Sequence, residues 1–186
     1  QRAEHYLPPP LGASFTIARA DTGSHRVPAT QVVFTIAQQT WQQRTLIAVE
    51  SVDAIVLLDP ADGHWLAQLA PAGRRPVYSW DPGWGWEWPL EVGKTWTRQH
   101  VMAHHATGLP FRFTARWRVE AREQITVPAG TFDTFRLAYS DGYNEDTYWF
   151  SAELGWYVKA RLKRAGWHPL GPGTSERQMI AQTIRK

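Results

Sequence analysis

The sequence predicts an all-β protein, a single antiparallel β-barrel or half-barrel of about ten strands. Three observations carry this expectation. Apolar and polar residues alternate with period 2 in many short runs, as half-buried strands require. No window of useful length shows an i, i+3, i+4, i+7 apolar stripe between helix caps. Clusters of Pro, Gly and Asp separate the runs at the spacing of hairpin turns. At 186 residues the chain suits one core, so one domain is expected over 1–186.

Residues 1–12, with Pro8-Pro9-Pro10, read as an extended lead-in, because consecutive prolines favour polyproline II over helix. Ser14–Arg19 is a short strand, followed by a polar loop through Gly23 and Pro28. In Gln31–Gln38, Val32, Phe34 and Ile36 share a face. Thr45–Ser51 and Ala54–Leu58 are β-branched runs, Asp59–Gly63 is a turn, and His64–Leu69 is the strand leaving it. Tyr78–Trp88 reads as a loop, with Trp80, Trp84, Trp86 and Trp88 interrupted by Pro82, Gly83 and Gly85.

A long pair follows, Thr97–His105 and Phe111–Ala121. The second member sets Phe111, Phe113, Ala115, Trp117 and Val119 against Arg112, Thr114, Arg116, Arg118 and Glu120, a firm half-buried strand. Ile125–Leu137 is a hairpin about Pro128-Ala129-Gly130, where Pro presets φ and Gly supplies a positive one. Its return strand carries Phe135, Leu137 and Tyr139. Tyr148–Phe150 and Gly155–Lys163 come next, the latter alternating Trp156, Val158, Ala160 and Leu162 with Tyr157, Lys159, Arg161 and Lys163. Glu176–Ile184 closes the chain.

Composition bounds the setting. No apolar run reaches the roughly 18 residues of a membrane-spanning helix, so no transmembrane segment is expected. The absence of cysteine fits an exported protein that avoids thiols. The chain opens at Gln1 without Met, and removal of a targeting segment is expected, leaving the protein periplasmic or membrane-anchored. Net charge is +3, unevenly spread. From Trp156 onward, Lys159, Arg161, Lys163, Arg164, Arg177, Arg185 and Lys186 stand against Glu176 alone. An anionic neighbour is expected near this end.

Three motifs occur in order: Pro89-Leu90-x-Val92-Gly93-Lys94-x-Trp96; Val127-Pro128-Ala129-Gly130-Thr131-Phe132 with Arg136; and Tyr148-Trp149-Phe150-Ser151-x-x-Leu154-Gly155-Trp156-x-Val158-Lys159. Together they resemble a group of uncharacterised bacterial exported and lipoprotein-like β-domains, over about residues 89–163. The resemblance implies an envelope location and a barrel-like sheet, and it brings no catalytic residues.

Two binding surfaces are expected. Trp80, Trp84, Trp86 and Trp88 offer aromatic faces for an apolar or amphipathic ligand or a lipid, unless the loop folds inward as a plug. Phe111, Phe113, Trp117, Phe135 and Trp156 would line a concave sheet beneath it. The polar faces of two strands carry Arg112, Arg116, Arg118, Lys159, Arg161 and Lys163, which would form a cationic surface for an anionic envelope component if they share a sheet. The bland alternative is a solvated outer face with cross-strand carboxylate partners such as Glu120. Nucleic acid is not expected, because Trp117 and Trp156 alternate to the opposite side from the cations.

No metal or cofactor is expected: on a strand His100 and His104 stand about 13 Å apart, and His105 points the other way. Asp59–Gly63 and Asp141–Asp146 lack the ligand order of a helical calcium loop. No nucleophile motif or phosphate cradle is present. The expected function is therefore non-catalytic ligand or partner binding. A structural protein with a closed core is the alternative, and a carbohydrate-active enzyme using Glu87 and a second acid the remote one.

Overall fold

The structure, a computed structural model, describes residues 2–24 and 29–184. Part of the loop through Pro28, together with Arg185 and Lys186, lies outside the described residues.

Among the described residues, fourteen strands follow one another: β1 (Arg2–Ala3), β2 (Ser14–Gly23), β3 (Thr30–Trp41), β4 (Arg44–Glu50), β5 (Ile55–Leu58), β6 (Trp65–Leu69), β7 (Pro76–Trp84), β8 (Leu90–Glu91), β9 (Thr95–His104), β10 (Pro110–Val127), β11 (Gly130–Ser140), β12 (Asn144–Ser151), β13 (Trp156–Arg164) and β14 (Gly173–Thr183). A 3₁₀ turn at Ala72–Arg74 joins β6 to β7. Twelve of the strands pair antiparallel in chain order and close on themselves where β14 meets β2; β1 and β8 form a separate two-stranded ribbon. The barrel is closed and slightly larger than the ten strands expected.

Two local differences alter the strand count in opposite directions, one adding a strand and the other merging two. The first half of the tryptophan loop is strand β7, which pairs with β6 and β9. Its Pro and Gly residues mask the strand in the sequence. The run at Phe111 and the first arm of the Pro-Ala-Gly hairpin are one strand of 18 residues, bent at a bulge between Val119 and Ala121. Such a bulge lets a long strand follow the curvature of a barrel.

Alternation decides what faces inward. Phe15 and Ile17, Ala115, Trp117 and Val119, Leu137, Phe150, and Val158 and Ala160 meet in one buried core. On the opposite face of β4–β6, Leu46, Ala48, Ile55, Leu57, Ala67 and Leu69 form a second buried cluster. Arg74 reaches across it to Gln39 and, at 2.9 Å, to Glu50. The β6–β7 connection therefore folds over this part of the wall, and β4 and β5 are apolar on both faces.

The lead-in closes the lower end of the barrel. Tyr6 is buried, its ring 6.0 Å from that of Trp88, and its hydroxyl donates to the Gly155 carbonyl at 3.4 Å. Gly155 holds φ +64°, and a Cβ there would strike the Leu7 carbonyl oxygen and Pro9. A glycine at this turn is what lets the chain start pass so close.

Candidate functional site

The inward face changes character along the barrel. Its lower half is filled. Trp86, Trp117, Phe135 and Trp156 are buried there, with Trp117 4.6 Å from Tyr139 and Trp86 4.7 Å from Phe150, ring centre to ring centre. Trp88, half-buried at the lower end, donates its indole N–H to the Asp62 carbonyl at 2.9 Å. A void of only about 10 Å³ remains among Tyr6, Trp65, Trp84, Trp86, Tyr148 and Trp156.

Above this floor the barrel opens into a cavity of about 960 Å³, at the upper end of the range for small-molecule sites. Trp65, Tyr78, Trp80, Trp84, Phe111 and Phe113 build one wall from β6, β7 and β10. Trp84 joins wall to floor, 5.2 Å from Trp65 and 5.3 Å from Trp117. The facing wall, from β2 and β12–β14, carries Arg19, Asp21, Asp146, Arg164, Ser175 and Arg177. The site therefore has an aromatic side and a charged side.

Of the aromatic residues singled out in the sequence, Trp80, Trp84, Phe111 and Phe113 line the cavity. Trp86, Trp117, Phe135 and Trp156 make the packed floor, and Trp88 sits below it. The tryptophan stretch is thus divided: its strand half faces the cavity, and its second half plugs the barrel. Trp65, Tyr78, Arg19, Asp21 and Ser175 are not among the candidates singled out in the sequence, and Arg164, Arg177 and Asp146 figure there only in the C-terminal charge and the Asp141–Asp146 turn. The signal for that wall lies in strand parity: Arg19 and Asp21 continue the inward series Phe15, Ile17, and Arg177 and Ser175 continue that of Met179.

The charged wall is ordered by its own bonds. Arg19 grips Asp21 through two nitrogens, the closest at 2.7 Å, and holds its carboxyl down at about 2. Asp141 accepts from the Tyr139 hydroxyl at 2.8 Å and from the backbone N–H groups of Tyr143 and Asn144. Asp146 accepts from the Lys163 backbone N–H at 3.1 Å and the Tyr148 hydroxyl at 3.2 Å, yet burial pushes its carboxyl up to about 7. Burial likewise raises the phenols of Tyr139 and Tyr148.

The other candidates are placed as follows. His100 is buried, stacked on Phe113 and bonded to the Pro82 carbonyl at 2.9 Å; burial lowers its pKa. His104 lies 5.0 Å from the Tyr78 ring, and His105 bonds Ser79. Glu87 is ion-paired to Arg98 at 2.9 Å. Among the described residues, no group of three His, Cys, Asp or Glu side chains is placed to hold a metal ion.

The cationic residues do share one sheet, since β10–β13 are consecutive in the wall. Lys163 is paired with Glu145 and Arg161 with Glu176, while Lys159 lies 4.9 Å from the Trp149 ring. Arg112, Arg116 and Arg118 make no ion pair among the described residues. Arg116 and Arg118 on one side, and Arg161 and Lys163 on the other, flank an outer groove of about 530 Å³ floored by Ala138, Ser140 and Thr147. This outer wall carries rows of charge where a lipid-facing barrel carries an apolar band. No helix among the described residues is long and apolar enough to cross a membrane.

Fold and site together define a closed antiparallel barrel with a packed lower end and an open cavity of two unlike walls. No protein-family model matches the sequence, and no curated protein matches it. Among solved structures, the chain is similar to a "putative exported protein with YmcC-like fold" from Bacteroides fragilis, at 10% identity, TM-score 0.47, covering 97% of this chain and 100% of that one. It is similar also to a "putative lipoprotein" from Parabacteroides distasonis (11%, 0.48, 98% and 100%) and to the hypothetical lipoprotein YmcC of Escherichia coli (13%, 0.45, 92% and 88%).

Proposed function

We propose that this chain is a non-catalytic envelope protein whose one domain holds an amphipathic small molecule in the mouth of its barrel. The observation that carries the reading is the cavity of about 960 Å³ with an aromatic wall facing a charged one. An apolar molecule gains by covering Trp65, Trp80, Trp84 and Phe113, whereas a wholly apolar molecule would leave the charged wall desolvated without partners. A molecule with an apolar body and a polar end satisfies both. Export accords with the cysteine-free sequence and with the three motifs between Pro89 and Lys159. The test is native mass spectrometry of the freshly purified chain, with displacement of the neutral dye N-phenyl-1-naphthylamine by alkyl amphiphiles. A retained mass or a saturable displacement is expected; neither appearing would overturn the reading.

One observation favours a second, compatible surface. Arg116 and Arg118 flank the outer groove with no carboxylate paired to either among the described residues, which fits an anionic envelope component docking on the wall.

A further inference from the structure

Arg19 and Arg177 are register partners on β2 and β14, so two cationic side chains leave directly opposite positions on the inward face of the sheet. Like charges directly opposite in an antiparallel pair weaken it. For Arg19 the conflict is resolved by its forked bond to Asp21. For Arg177 it is not: its Nε donates to Ser175 Oγ at 3.4 Å, a long bond, and it makes no ion pair among the described residues.

The carboxylates around Arg177 are engaged elsewhere. Asp21 on β2 is held by Arg19, and Asp141 on the β11–β12 turn by a hydroxyl and two backbone N–H groups. Asp146 on β12 takes the Lys163 N–H and the Tyr148 hydroxyl. Arg164 on β13, the remaining cation on this wall, donates to the Gly171 carbonyl at 3.0 Å. A half-buried guanidinium offers two parallel N–H donors shaped for an oxyanion, and the surrounding apolar wall screens its charge less than water does.

We infer that Arg177 anchors the anionic head group, a carboxylate or a phosphate, of an amphiphile whose apolar chain lies along Trp65, Trp80 and Phe113. This rests on the binding reading above and adds the sign of the head group and its anchor.

The test is isothermal titration of dodecanoate, dodecyl phosphate, dodecanol and inorganic phosphate into the wild-type chain, Arg177→Met and Arg177→Lys. Circular dichroism and thermal unfolding establish that each variant is folded. The wild type should bind at least one of the two anionic amphiphiles about tenfold or more tighter than the alcohol, and whichever anion is preferred identifies the source as an acyl carboxylate or a phosphate-headed lipid. Arg177→Met should abolish that preference and Arg177→Lys should keep part of it. Binding of none of the alkyl compounds overturns the binding reading itself. Equal affinity for anion and alcohol overturns the anionic head group while leaving that reading intact. A preference that survives in Arg177→Met overturns the anchor. Inorganic phosphate binding as tightly as dodecyl phosphate overturns the role of the apolar chain. Should Arg177→Met fail to fold, Arg177→Lys with a weakened preference supports the inference, and with an unchanged one overturns it.

Discussion

Replacing Asp146 by Asn should raise stability at alkaline pH and leave it nearly unchanged in acid. The carboxyl is buried on the cavity wall, with two hydrogen bonds too few to offset its desolvation, and its pKa rises from 3.8 to about 7. In the unfolded chain it ionises near the ordinary value. Between these limits the folded protein binds the extra proton, so unfolding free energy falls as pH rises, by up to about 1.4 kcal/mol per pH unit. About three units of separation give a loss of about 4 kcal/mol, complete above pH 7. The Asn side chain resembles the protonated acid in shape and bears no charge, so the variant escapes this loss. His100 and His168, whose pKa values burial lowers, act in the opposite sense below about pH 6.5, but equally in both proteins. The difference between the two therefore isolates position 146. Urea unfolding followed by tryptophan fluorescence at pH 4.5, 6, 7 and 8.5, with equal m-values, measures it. The variant's advantage should grow from about 1 kcal/mol at pH 4.5 to about 4 kcal/mol at pH 8.5. A difference constant with pH would refute the argument.

Four further outcomes are expected. Trp117→Ala removes a ring packed against five other aromatic side chains and should cost about 3–5 kcal/mol in urea unfolding. Trp80→Ala, on the cavity wall, should cost about 1–2 kcal/mol but weaken dye binding about fivefold. Gly155→Ala forces a side chain into positive φ against the Leu7 carbonyl and should cost about 2 kcal/mol or more, with faster amide exchange around Tyr6. The double variant Arg116→Gln/Arg118→Gln should change stability by less than about 0.5 kcal/mol yet reduce sedimentation with phosphatidylglycerol vesicles at low salt; unchanged sedimentation would remove the outer groove as an anion surface.

Much of the wall was legible in the sequence because alternation assigns each strand two faces. The long run at Phe111–Ala121 and the hairpin at Pro128–Gly130 emerge with the faces expected of them, and so does the strand at Trp156 except for Tyr157, expected on the polar face but buried in the core beside a register shift. β7 was not legible, since its Pro82 and Gly83 interrupt the alternation that identifies a strand. Nor does alternation separate floor from wall: Trp80 and Trp117 look alike in sequence, and only the closure of the barrel puts one beside a cavity and the other beneath it. The charged wall was hidden for a more specific reason. Apolar alternation reads the second strand as ending at Arg19, but its ladder runs on to Gly23 with Asp21 still facing inward. The last strand reads as starting at Glu176, after Ser175 has already taken its inward place opposite Asp21. On β12 the reading begins at Tyr148, one inward position past Asp146. In each case the strand continues for as long as backbone pairing does, while its inward side chains turn from apolar to ionic at the mouth. The same change of chemistry that ends the apolar signal builds the polar side of the cavity.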